Sequence, residues 1–388
     1  MPTVDIVIVN WNTGRCLADC LRSIAGTDMA LLRVTRIVVV DNASTDDSLH
    51  HLATGDTVAG VPLDVVRNAR NRGFAAACNQ GARRGSGDFV LFLNPDTQVY
   101  PDTLRAVGRF LGTPEADRFG IFGALMVDEL GRPRISCSRF PSLRIWVGKM
   151  TGLDRLAPAL FPPHHLGPRE LTRSGPVDQV IGAFFLVRRP LYTELNGFDE
   201  RYFLYLEDVD LALRAREAGW PSYYLRQARV LHAENVSSSQ LGSWRHYLML
   251  CSRTTYACLH WPRSRARLLT ALTLSVEPAA RLTAAAAHGR WAELRTTAAV
   301  YRRYLRWLRT GRRRDPSAPA IPDPGETGPA PDGTSGKSGT TGNGGTTRNS
   351  GTTSKSGTTR NSGTTRNSGT TSKSGTTRKR GGPYHAHR

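Results

Sequence analysis

The 388-residue sequence predicts an α/β fold, a mostly parallel sheet flanked by helices, and three observations predict it. Short apolar runs of strand length recur through the first third of the chain. Helix-length stretches separate them, the rhythm of a doubly wound sheet. Polar clusters stand just after the runs, and the carboxyl ends of parallel strands are where such sheets bind ligands.

The apolar runs are residues 6–9, 37–40, 63–66, 89–93 and 121–126. Helical spacing predicts helices near 16–25, 46–52, 75–84 and 103–111. Residues 127–176 are rich in Pro, Gly and Arg, lack a clear period, and read as a loop-rich insert near the site. A strand pattern returns over 180–187 and leads to Gly197-Phe198-Asp199-Glu200. Tyr205-Leu206-Glu207-Asp208-Val209-Asp210-Leu211 then opens a helix to about 218, and a further strand over roughly 223–231 ends at His232. Residues 240–310 read as helical and Arg-rich.

From about residue 338 the chain repeats Ser-Gly-Thr-Thr-Arg-Asn or Ser-Gly-Thr-Thr-Ser-Lys. A β-helix needs an apolar residue in each rung, and these units have none. Without apolar surface the entropy of ordering is not offset. The expected division is a catalytic α/β domain over 1–239, a basic helical extension over 240–314 and a disordered tail over 315–388.

The formal charge of +20 calls for an anionic partner. No RRM, KH, zinc-finger or helix-turn-helix signature appears, so specific nucleic-acid binding is not expected. Arginines interleave with apolar and aromatic residues in the extension, as in Tyr301-Arg302-Arg303-Tyr304-Leu305-Arg306-Trp307. That pattern suits a helix lying in the headgroup region of an anionic membrane. The most apolar late stretch, 268–276, is far shorter than the ~20 residues that span a bilayer. The N-terminus opens on a strand rather than a leader-like segment. The six cysteines form no C-x-x-C pair and read as buried thiols of a reducing compartment. The expected location is cytoplasmic, peripheral on the inner face of the cell membrane.

Four polar clusters carry the chemistry: Asn10-Trp11-Asn12, Asp41-Asn42-Ala43-Ser44-Thr45-Asp46, Asn68 to Gly73 leading to Asn79, and Asn94-Pro95-Asp96. Asp, Asn and Ser commonly cap helices and form turns, so each cluster alone has a structural explanation. Four in succession at the binding edge of one sheet point to a ligand. Asp96, at a strand end in a Pro-stiffened turn, suits a Mg2+ or Mn2+ ion that keeps phosphate and water ligands, and His232 is a second candidate. Glu207 and Asp208 open a helix whose amides favour ionised carboxylates, which suits a general base. A helix-opening acid is also an ordinary structural feature.

The ordered set of Val9-Asn10-Trp11-Asn12, Asp41-Asn42-Ala43-Ser44-Thr45-Asp46, Asn71-Arg72-Gly73-Phe74, Asn94-Pro95-Asp96, Gly197-Phe198-Asp199-Glu200 and Glu207-Asp208-Val209-Asp210-Leu211 resembles glycosyltransferase family 2. Within it the chain resembles bacterial rhamnosyltransferases of cell-surface polysaccharide or lipid-linked precursors, over about residues 3–260. The resemblance implies a GT-A fold, an inverting mechanism, a nucleotide-sugar donor and a glycan or lipid-linked acceptor. It places Asp41 against the nucleotide base with Asn10 and Asn12 nearby, and adds Asn42, Asn71, Asn79 and Asn94 to the donor site. Asp96 matches the second acid of the family's D-x-D metal motif, while Asn94 stands where the first acid often does. Asp208 matches the catalytic base, with Glu207 alongside. The donor it favours is dTDP-rhamnose, and the alternative is a UDP-linked hexose or galactofuranose. A Rossmann oxidoreductase is excluded by the absence of G-x-G-x-x-G after the first strand. A non-catalytic nucleotide-sugar-binding protein is opposed by the carboxylates at Asp96 and Asp208.

Overall fold

The structure, a computed structural model, describes residues 1–50, 52–232 and 240–310. Contacts gather Met1–Pro331 into one compact unit. The second unit, Asp332–Arg388, and with it the repeat tail, lies outside the described residues.

In chain order the strands are β1 (Thr3–Asn10), β2 (Arg33–Asp41), β3 (Thr57–Val58), β4 (Val61–Arg67), β5 (Phe89–Leu93), β6 (Thr97–Val99), β7 (Ile121–Val127), β8 (Cys137–Ser138), β9 (Gly175–Val177), β10 (Gln179–Val180), β11 (Phe184–Arg188) and β12 (Ser222–His232). The helices are α1 (Arg15–Ala25), α2 (Phe74–Ala82), α3 (Thr103–Leu111), α4 (Leu143–Thr151), α5 (Leu153–Leu156), α6 (Arg189–Glu194), α7 (Glu207–Glu217), α8 (Ser243–His260), α9 (Arg263–Ala287) and α10 (Trp291–Thr310).

One large sheet runs β3-β4-β2-β1-β5-β11-β7-β12-β6, with β9 beside β12. The β4, β2, β1 and β5 strands pair in parallel, as do β7 and β12, while β11 is antiparallel between β5 and β7. This is the expected α/β, GT-A-like architecture. β1 is buried along nearly its whole length, as a central strand covered on both faces must be. Alternate residues serve the two faces: Ile6 and Ile8 join one core cluster with α1 and α3, Val7 and Val9 the other with α2 and α7. In α1 the buried residues Leu17, Cys20, Leu21 and Ile24 fall at helical spacing on one stripe.

Four local expectations need correction. Residues 46–52 contain no helix among the described positions, because Asp46 and Ser48 spend their side chains on nearby groups: Asp46 accepts from Gly14 and Ser48, and Ser48 accepts from Asn10. The insert is not all loop; α4 forms there behind an N-cap at Ser142, whose Oγ accepts from the Ile145 amide at 3.3 Å. The strand pattern over 180–187 breaks between β10 and β11, and the Gly182 amide turns to Asp208. Finally, Tyr301 and Tyr304 do not face a membrane. They are buried with Val300 against Phe203, Tyr247, Leu248 and Leu250. Among the described residues no helix is long and apolar enough to cross a membrane. Cys258 is exposed and Cys16 half-buried, whereas the other four cysteines are buried as expected.

Candidate active site

A cleft of about 490 Å³ opens beyond the carboxyl ends of β1, β5 and β12. One side carries Trp11, Asn42, Asn71, Asn94 and Asp96, and His232 closes it at the end of β12. The floor is the turn into α7, from Phe203 through Asp208.

Backbone strain is concentrated here. Asn12, Ala43, Tyr205 and Leu206 are four of the six non-glycine residues with positive φ among the described residues, at 50°, 62°, 74° and 66°. Two successive left-handed residues before α7 cost energy, which surrounding contacts must hold in place. Gly73 supplies one such contact. Its φ of +85° suits glycine, and an added Cβ would stand 2.6 Å from the Phe203 carbonyl oxygen. The next amide, Phe74, donates to that same oxygen at 2.7 Å. The loop after β4 is thereby pinned to the loop before α7.

Asp208 is the best-supported carboxylate of the site. Its Oδ2 accepts from Gln179 Nε2 at 2.8 Å and the Gly182 amide at 3.0 Å, and its Oδ1 from the Val209 amide at 2.9 Å. Burial pushes its carboxyl up to about 6, against the pull of those donors. Glu207 is more deeply buried, its Oε2 has no hydrogen-bond partner among the described residues, and burial together with the neighbouring Asp208 holds its carboxyl well above the usual range. Burial disfavours the charge on both, and the three donors favour the ionised form of Asp208. Asp210 is not available for catalysis. Its oxygens accept from Arg214 at 2.8 Å and from Tyr202 at 3.3 Å, and His260 lies at 2.6 Å.

Asp96 Oδ1 and His232 Nε2 stand 3.4 Å apart, both side chains largely buried and both lining the cleft. One carboxylate and one imidazole suit a divalent ion that keeps phosphate and water among its ligands. No group of three His, Cys, Asp or Glu suited to a metal occurs among the described residues.

The remaining predicted residues separate into two sets. Asn42, Asn71 and Asn94 line the cleft. Asn10, Asn12, Asp41 and Asn79 lie outside its lining. Asn10 Nδ2 donates to Asp41, Ser44 and Ser48 at 2.9, 3.0 and 2.8 Å, a buried network behind the loop. Asn12 Oδ1 accepts from the Thr45 amide at 2.7 Å. Asn79 is occupied in full: it donates to the Phe198 carbonyl and Glu200, and accepts from the Phe198 amide and the Tyr192 hydroxyl. The structure thus uses Asn79 to hold the Gly197–Glu200 turn.

Residues 5–131 match the model of the family described as Glycosyl transferase family 2. The N-acetylglucosaminyl-diphospho-decaprenol L-rhamnosyltransferase of Mycobacterium tuberculosis is 32% identical over 253 residues, which cover 61% of this chain and 78% of that protein. The chain belongs to glycosyltransferase family 2. Rhamnosyltransferase WbbL of Escherichia coli K12 is 29% identical over 208 residues, covering 51% of this glycosyltransferase and 72% of WbbL. Among solved structures, the mannosyltransferase PcManGT from Pyrobaculum calidifontis in complex with GDP-Man and Mn2+ overlaps with a TM-score of 0.44 at 20% identity, over 80% of this chain and 82% of that one. An overlap of that size supports no residue correspondence.

Several cleft residues of the glycosyltransferase escaped the sequence reading. Gln179, which holds Asp208, comes from β10. Trp146 and Lys149 come from α4, His164 and His165 from the same insert, and Arg245 and Met249 from α8. None stands at the end of a parallel strand, so the strand-end rule could not reach them. Gln179, a polar residue between Val177 and Val180, was the one available signal.

Proposed function

We propose that this glycosyltransferase moves rhamnose from dTDP-rhamnose, with inversion, to a hydroxyl of a lipid-linked glycan precursor. The observation that carries the reading is Asp208: one half-buried carboxylate, oriented by three donors, at the floor of the cleft in a family 2 domain. Its free lone pairs accept the proton of the acceptor hydroxyl. That oxygen then bonds the anomeric carbon as the bond to phosphate breaks, and the nucleoside diphosphate leaves. A single displacement of this kind inverts the anomeric centre. Support for the sugar and acceptor comes from the mycobacterial relative, whose name specifies a rhamnosyltransferase acting on an N-acetylglucosaminyl-diphospho-lipid. The test is a transfer assay to a short-chain prenyl-diphospho-N-acetylglucosamine. dTDP-rhamnose should be the preferred donor and dTDP the better product inhibitor. UDP inhibiting far better than dTDP would transfer the reading to a UDP-hexose or UDP-galactofuranose.

Asp96 and His232 would hold the divalent ion, which as a Lewis acid supplies charge to the departing diphosphate. Asp96→Ala should weaken nucleoside diphosphate binding in Mn2+ or Mg2+, and EDTA should reproduce the effect. Full activity in EDTA would remove the metal from the reading.

The protein is also proposed to sit on an anionic cytoplasmic membrane surface. The face of α10 turned from the core carries the exposed Arg302, Arg306 and Arg309 beside the exposed Leu305. Each cation near such a surface contributes about 1 kcal/mol. Because Tyr301 and Tyr304 belong to the core, truncation would unfold the helix. Replacing the three exposed arginines by glutamine is the sounder experiment. Sedimentation with phosphatidylglycerol vesicles should fall in the variant and weaken with salt. Wild-type protein that ignores such vesicles at low salt would refute the attachment.

A further inference from the structure

The wall of the cleft formed by the insert and α8 is unlike the wall that carries Asp96. It presents two cations, Lys149 from α4 and Arg245 from α8, both open to solvent and both lining the cleft. Neither forms an ion pair among the described residues. Lys149 instead lies 5.8 Å from the centre of the Trp146 ring. Cations on two separate elements, neither held in an ion pair among the described residues, leave a positive field for an anionic ligand to meet.

A second observation concerns hydrogen bonding. Buried polar atoms in proteins are nearly always paired, and each exception calls for an explanation. Trp146 Nε1, His164 Nδ1, Gln179 Oε1 and Glu207 Oε2 are buried without a hydrogen-bond partner among the described residues. Their residues are only 1%, 8%, 1% and 5% exposed, and all four line the cleft. An indole N–H donor, an imidazole nitrogen and an amide carbonyl among the lining residues match the mixed donors and acceptors of sugar hydroxyls and an acetamido group. Gln179 also donates to Asp208, so a sugar bound against it would present a hydroxyl to the base.

We propose that this wall is the acceptor subsite and is built for a sugar carried on a diphosphate: Trp146, His164 and Gln179 bond the sugar, while Lys149 and Arg245 hold the diphosphate at the mouth. The inference rests on the lipid-linked acceptor proposed above and adds the residues that select for it. Two cations on separate elements match a diphosphate better than a single carboxylate.

The test uses the full-length protein and two probes, farnesyl-diphospho-N-acetylglucosamine and the neutral octyl N-acetylglucosaminide. Lys149→Gln and Arg245→Gln should each raise KM for the diphospho probe tenfold or more and leave KM for the neutral glycoside within twofold. Trp146→Phe, which removes the indole N–H, should raise KM for both. Binding of dTDP should be unchanged in all three, which also reports that the variants fold. If Lys149→Gln and Arg245→Gln weaken dTDP and spare the diphospho probe, the cations serve the donor and the proposal is overturned. An equal loss for both acceptors would likewise overturn the charge-selective role. If wild type transfers to neither probe, the proposed reaction fails. Direct binding of the diphospho probe, followed by tryptophan fluorescence, then decides the subsite separately: weakening by Lys149→Gln upholds it and indifference ends it.

Discussion

Replacing Asp208 by asparagine is expected to lower turnover by roughly 100- to 10,000-fold while nucleotide binding changes little. Asparagine can still accept from Gln179 and the Gly182 amide and gives up only the bond from the adjacent Val209 amide, so most of the turn's support remains. What it lacks is the capacity to take a proton. The pH profile makes the assignment specific. With its carboxyl raised to about 6, Asp208 should give the free enzyme an acidic limb that falls tenfold per unit below that value, and the variant should lose the limb. Stability should move the other way. The folded value lies above the unfolded value of about 3.9, so ionisation opposes folding. That penalty is absent below about pH 4, grows between about 4 and 6, and is complete at neutral pH. Asparagine escapes it, and urea unfolding at pH 7 should show a variant no less stable than the parent. Near-normal turnover would instead move the base to Glu207, since Asp210 is bound to Arg214, Tyr202 and His260.

The sheet was legible because its signal is local. Four of the five apolar runs in the first third extend by one to five residues in the structure, and Phe89–Leu93 keeps its bounds. Each is a run whose neighbours in sequence already tell its burial. Residues at strand ends were legible for the same reason: Asn42, Asn94, Asp96 and His232 all reach the cleft. The other half of the cleft depends on contacts remote in sequence. Gln179 finds Asp208 across 29 positions, and Gln240 donates to the Asn12 carbonyl across 228. No spacing rule announces such pairs. The α4 helix escaped because only part of its surface is apolar. Trp146 and Met150 pack against α7, α8 and α9, while Lys149 between them turns to the cleft. The inward side of α10 was illegible for the same reason. Arginines beside aromatics suit a membrane surface or a protein surface equally well, and only the packing of Tyr301 and Tyr304 decides which side the rings occupy.

Replacing Glu277 by alanine is expected to destabilise the protein by about 3–5 kcal/mol, the cost of leaving a buried charge without its partner. Glu277, on α9, ties that helix to α8. Its Oε2 accepts from Arg253 of α8 at 2.6 Å, and its Oε1 lies 3.2 Å from His246 Nε2 and 3.3 Å from Arg281 Nε. The Arg253 and Glu277 side chains are only 4% and 6% exposed, so water cannot replace either partner. Burial alone would push the Glu277 carboxyl up. The bonds from His246 and Arg253 outweigh it and bring the carboxyl down to about 2. The folded value is depressed below the unfolded one of about 4.3, so this contribution is present above that pH and is lost as pH falls toward about 2. In the alanine variant that part of the acid sensitivity should disappear. A double-mutant cycle separates a broken pair from lost packing. Arg253→Met with Glu277→Ala removes both charges, and the double variant should recover much of the loss seen with Glu277→Ala alone. Additive losses would show that the two side chains act independently. The consequence reaches the cleft, because α8 carries Arg245 and Met249 into its lining. Below its unfolding midpoint in urea, the single variant should therefore lose affinity for acceptor before it loses affinity for nucleotide.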